Sequence, residues 1–138
     1  MPCTVLRVPS VTAAVAKASR PLRKSYDTVR DELGRDGCKA AGYRLAGADG
    51  GEYPMCCRHL YAAWRLHIVF PDPDTAVIIS LAEHTKRANP HAVLAELFPG
   101  LAVTGRRRSD KPPCCDDAAM PPRLGEELQA TLPHLFQL

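Results

Sequence analysis

Cys56-Cys57-Arg58-His59-Leu60-Tyr61-Ala62-Ala63-Trp64-Arg65-Leu66-His67-Ile68-Val69-Phe70 is the stretch that decides the fold. Its later half alternates. Trp64, Leu66, Ile68 and Phe70 fall on one side of an extended chain, and Arg65, His67 and Val69 fall on the other, because successive strand side chains point to opposite faces. Met55 to Leu60 reads as one strand, Trp64 to Phe70 as the next and Thr75 to Ala82 as a third, with Pro71-Asp72-Pro73-Asp74 turning between the last two. Val77 to Leu81 is almost continuously apolar, which suits a central strand covered on both faces.

Toward the N-terminus, Cys3 to Val8 reads as a short strand stopped by Pro9. Val11, Ala14, Val15 and Ala18 then recur at helical spacing behind a Ser10 or Thr12 cap. A second helix starts at a Ser19 cap with Pro21 in its first turn, carries the stripe Leu22, Tyr26, Val29 and Leu33, and closes at Gly34 and Gly37. A Gly-rich connection (Gly47, Gly50, Gly51) leads to the sheet. Toward the C-terminus, a short helix is expected from about Pro90 through Val93, Leu94, Leu97 and Phe98. The spacing thus divides the chain into a domain over residues 1–100 and a basic, Pro- and Cys-containing extension over 101–138. That extension holds Arg106-Arg107-Arg108, Cys114-Cys115 and a possible helix around Leu124 to Leu132.

With 138 residues, 46% hydrophobic and 24% charged, the chain suits one globular domain. Its thirteen prolines thicken toward the end, so a loosely ordered C-terminal third is expected. A net charge of +3 permits nucleic-acid binding without demanding it. No run approaches the roughly twenty apolar residues of a membrane span, and the N-terminus lacks the pattern of a secretion signal, so a cytoplasmic location is expected. There the six cysteines would be mostly reduced thiols. A zinc site from Cys56-Cys57, His59 and Cys114-Cys115 is disfavoured, because adjacent strand cysteines face opposite ways and no CxxC occurs.

In its order of strand, two helices and three strands the chain resembles the RelE/ParE superfamily. The resemblance rests on the stretch quoted above, with an Arg before the turn and an aromatic-Arg-hydrophobic step opening the next strand. It also rests on Val77 to Leu81 followed by Glu83-His84-Thr85-Lys86-Arg87, and it covers roughly residues 3 to 98. The fold it implies is α+β: a twisted antiparallel sheet of about four strands, two N-terminal helices on one face, a short C-terminal helix, and a basic opposite face. The function it implies is that of a toxin of a type II toxin-antitoxin pair, a ribosome-dependent mRNA endoribonuclease that uses no metal or other cofactor. Its partners would be a cognate antitoxin, mRNA and the ribosome, with no membrane involved.

Such cleavage needs a base for the ribose 2′-OH, cations for the phosphate and an acid for the leaving oxygen. By resemblance Arg65 holds the scissile phosphate, Arg58 assists, and His84 or His67 transfers protons. Lys86, Arg87, Arg106, Arg107 and Arg108 are candidate RNA-binding residues, although a run such as Arg106 to Arg108 reads as a solvated charge run in most proteins. Many nucleases of this superfamily end in a catalytic Tyr, and here no Tyr follows Tyr61. Two alternatives stand beside this reading: a ParE-like toxin that inhibits DNA gyrase without cutting RNA, and a small zinc-stabilised regulatory binding module.

Overall fold

The computed structural model describes residues 2–46, 52–84, 92, 94 and 112–137. Strand β1 (Thr4–Arg7) leads into helix α1 (Pro9–Ala16) and helix α2 (Arg20–Asp36), and a 3-10 turn (Gly37–Ala40) follows. Four strands come next, β2 (Tyr43–Ala46), β3 (Glu52–His59), β4 (Trp64–Asp72) and β5 (Thr75–Glu83), and helix α3 (Glu126–Leu135) lies near the C-terminus. The class is α+β, as expected. The sheet has five strands in the order β1-β5-β4-β3-β2. It is mixed rather than antiparallel, because β1 runs parallel to β5 with Thr4 opposite Thr75 and Arg7 opposite Ile78.

Helix α2 forms where its spacing predicts, except that it runs through Gly34 and closes only at Gly37. The Ser19 hydroxyl accepts the Leu22 N–H at 3.3 Å, and Leu22, Tyr26, Val29 and Leu33 are all buried. Gly37 ends the helix at a φ of 62°, a conformation that costs a residue with a Cβ but not glycine. Helix α1 differs from expectation at its start. It begins at Pro9 with Val8 in the cap position and no side-chain cap, so neither Ser10 nor Thr12 caps it, while Val11 and Val15 are buried. Pro9 suits the first helical turn, since the amide it lacks would have no partner within the helix there.

The β4–β5 hairpin turns on Pro73 and Asp74, and Asp72 Oδ1 accepts the Asp74 N–H at 2.9 Å. Both strands form the core of the sheet. Leu66, His67, Ile68, Val69 and Phe70 are each buried, so β4 is covered on both faces at its centre. This corrects the expectation of an open basic face, because Arg65 stands at the rim and the residues after it are enclosed.

Residues 112–137 do not match the loosely ordered appendage that their prolines suggest. Cys56 bonds to Cys114 and Cys38 to Cys115, so four of the six cysteines are disulfides rather than the reduced thiols expected, while Cys3 and Cys57 stay thiols. Pro113 bridges Tyr43 at the outer edge of β2. The Arg44 N–H donates to the Pro112 carbonyl at 2.9 Å and the Cys114 N–H to the Gly42 carbonyl at 3.0 Å. Arg44 also donates from Nε to the Cys114 carbonyl and from Nη2 to that of Met120. Leu128, Leu132 and Leu135 of α3 are buried. The expected domain boundary near residue 100 lies outside the described residues, as does most of the helix expected over 90–98; Ala92 and Leu94 are helical, and Leu94 is buried. Among the described residues no helix is long and apolar enough to cross a membrane.

Candidate functional site

The strand register builds two adjacent rows of side chains on one face. His67 lies between Cys57 of β3 and Ser80 of β5, and Cys57 lies opposite Tyr43 of β2, giving the row Tyr43, Cys57, His67, Ser80. Two residues along each strand, the next row is His59, Arg65, Ala82. Residues two apart share a face, so both rows look the same way. The opposite face carries Arg58, Leu66 and Leu81 as one row.

Arg58 and Arg65 are therefore not brought together. Arg58 turns toward the helices, donating from Nη1 to the Ala40 carbonyl at 2.7 Å and from Nη2 to Glu32 of α2 at 3.0 Å. Both of its ends are thus committed to holding α2 and the 3-10 turn on the sheet, a structural role in place of the catalytic one expected. Arg65 is half-buried, donates to the Trp64 carbonyl at 3.2 Å, and has no carboxylate partner among the described residues.

His67 shares the face of Arg65, as the alternation predicts. It is fully enclosed, with Nδ1 2.8 Å from the Ser80 hydroxyl, so a macromolecular substrate does not reach it. His84 directly follows β5 and is exposed, and its N–H donates to the Ala63 carbonyl at 2.8 Å. That bond fixes His84 at the same end of the sheet as Arg65 and His59. The connecting turn is held from α2, where the Ser25 hydroxyl accepts the Tyr61 N–H at 3.0 Å. Lys86, Arg87, Arg106, Arg107 and Arg108 lie outside the described residues.

At this end of the sheet the sequence reading weighs His59 only as a zinc ligand or an ordinary strand residue, and it does not single out Tyr43. His59 is exposed and pairs with Arg65 across the hairpin, and the edge of its ring meets Tyr43 at a centroid distance of 5.7 Å. Tyr43 is half-buried, and its phenol is pushed well above the ordinary tyrosine range, first by burial and then by the Cys57 thiol, with Arg65 pulling it back. It therefore stays protonated, a donor rather than a base. The hairpin register around the Leu60 to Ala63 turn contains the signal for His59. Tyr43 has no comparable signal, because its strand is too short to show a period.

One guanidinium, two imidazoles and a neutral phenol at one rim suit phosphate binding and proton transfer. Among the described residues no group of three or more His, Cys, Asp or Glu side chains is placed to hold a metal ion. Cys56 and Cys115, ligands the zinc alternative requires, are both in disulfides. A cavity of about 550 Å³ lies at the other end of the sheet, beside Pro71, Asp72 and Pro73. Three of its polar side chains serve the fold: Asp72 accepts the Asp74 amide, Asp116 accepts the Ala118 and Met120 amides, and Gln129 donates to the Pro71 carbonyl. No family profile, curated protein or solved structure matches the chain.

Proposed function

We propose that this chain is a toxin of the RelE/ParE kind that cleaves mRNA on the ribosome without a metal, and that a cognate antitoxin restrains it. The observation that carries this reading is that Arg65, opposite His59 and its ring partner Tyr43, lies at the end of the sheet where the backbone of His84 is fixed. In the reaction, a 2′-oxygen attacks the adjacent phosphorus and the bond to the 5′-oxygen breaks, leaving a 2′,3′-cyclic phosphate and a 5′-hydroxyl. Arg65 balances the charge that builds on the phosphoryl oxygens. An imidazole, His84 or His59, takes the 2′-OH proton, and a second donor protonates the leaving oxygen. The Tyr43 phenol, held neutral and engaged with the Cys57 thiol, sets its ring against that of His59 and so orients that imidazole. His67 positions its strand from below through Ser80.

The test is inducible expression in a bacterial host of wild type, Arg65→Ala and His84→Ala, following growth and mapping mRNA ends. Growth arrest with new cuts in translated messages is expected for wild type, with a loss of roughly a hundredfold or more in Arg65→Ala, the scale on which removing one transition-state donor acts. Wild-type expression without arrest overturns the reading. One observation favours a protein-binding toxin such as a gyrase inhibitor instead: enclosure of the sheet centre leaves the charged outer side of α2 as a broad exposed surface, with Arg20, Arg23 and Lys24 on it. Arrest that persists in Arg65→Ala without new mRNA ends selects that alternative. A ribosomal target places the chain in the cytoplasm, where disulfides are usually transient or regulatory.

A further inference from the structure

We infer that Cys114-Cys115 is a redox clasp, which in its oxidised form seals the outer edge of β2 and in its reduced form releases it. The clasp acts on the edge that carries Tyr43, so its bearing on activity rests on the reading above, while its existence does not.

The geometry is that of a strap. Adjacent cysteines reach two different elements, Cys114 to Cys56 on β3 and Cys115 to Cys38 in the 3-10 turn. Between them they draw the segment from residue 112 against β2, where it takes the Arg44 N–H on Pro112 and gives the Cys114 N–H to Gly42. Strand β2 has only four residues, and its register with β3 breaks between Arg44 and Ala46. So short a strand depends on having a neighbour on both sides. Pro112 and Pro113 lack N–H groups, so the strap closes the sheet without offering a new edge for further strands. Opening the clasp returns the Arg44 N–H and the Gly42 carbonyl to solvent and loosens Tyr43, which lies between the strap and the ring of His59.

The two bonds differ in access. Cys115 is half-buried while its partner Cys38 is buried, whereas Cys56 and Cys114 are both completely enclosed. A dithiol reductant therefore meets the Cys38–Cys115 bond first. Its thiolate attacks one sulfur to form a mixed disulfide, and its second thiol resolves this. Each opened bond takes two electrons and two protons, giving two protein thiols and one oxidised dithiol. Cys57 cannot substitute for Cys56 in the exchange, because it points to the opposite face.

The experiment uses the full chain purified oxidised, graded additions of dithiothreitol, alkylation mapped by mass spectrometry, and hydrogen exchange at the Arg44 and Cys114 amides. Expected are alkylation of Cys38 and Cys115 before Cys56 and Cys114, and exchange at both amides faster by about tenfold or more once both bonds are open, as in local unfolding. The amides of Leu66 to Phe70 should keep their protection. A Cys38→Ser/Cys115→Ser double variant should retain slow exchange at Cys114 until its remaining bond is reduced. The proposal is overturned if all four cysteines alkylate without reductant, or if the two edge amides exchange alike in both states. It is also overturned if reduction strips protection from the whole sheet, which would make the bonds staples of the fold. No RNA is cut in this experiment, so its failure is separate from a failure of the nuclease reading.

Discussion

Gly42 has a φ of +79°, and a Cβ on it would run into the Cys57 carbonyl. Gly42→Ala should cost about 1–3 kcal/mol or more in chemical denaturation, since both the backbone conformation and the close approach oppose it. Its neighbour Tyr43 gives a prediction in pH. Its folded pKa lies above the unfolded value of about 10, so the stability tied to the neutral phenol is complete below pH 10. That stability is lost as pH rises through the folded value, because the unfolded chain releases its proton first. Denaturation of wild type and Tyr43→Phe, compared from pH 8 to 11, should show a steeper alkaline fall in wild type. Arg58→Ala should lose about 1–3 kcal/mol through its bonds to Glu32 and Ala40, leaving any Arg65-dependent cleavage in place. Sequence spacing put Arg65 and His67 on one face correctly. It left Arg58 as an assistant to Arg65, because that Arg58 lies on the other face follows only once the hairpin register is worked through.

Helix α2 is the element most legible in advance, since its cap, its Pro in the first turn and its four-residue stripe agree with one another. Leu33 is fully buried at its far end, and Leu33→Ala should cost about 2–5 kcal/mol in denaturant unfolding with little change in slope. Strands β4 and β5 were legible because nine residues each are long enough to carry a pattern. Strand β2 was not, since four residues after a glycine leave no period to count. The parallel course of β1 was hidden for a different reason. Alternation tells which side chains share a face, but it says nothing about which strand lies alongside or in which direction. The burial of His67 was hidden in the same way, because a strand cannot show from its own letters what covers it.

At the scale of the whole molecule, two disulfides join residues 77 and 58 positions apart, and composition gives no hint of which cysteines meet. Converting Cys38 and Cys115 together to Ser should lower stability by about 2–4 kcal/mol, read as a lower thermal midpoint under oxidising conditions. The parallel pairing of β1 with β5 has a further consequence, for the nascent chain. As it leaves the ribosome, β1 has no sheet partner until Thr75–Glu83 has been made. At about 5–20 residues per second, that is roughly four to fifteen seconds of synthesis during which α1 and α2 can form while β1 has only its contacts to α2, such as the Cys3 N–H on the Gly34 carbonyl and Arg7 on the Tyr26 hydroxyl, to hold it. A chaperone bound to the emerging β1 would have its occupancy set by the codons from Val8 to Glu83, whose translation separates the two partners.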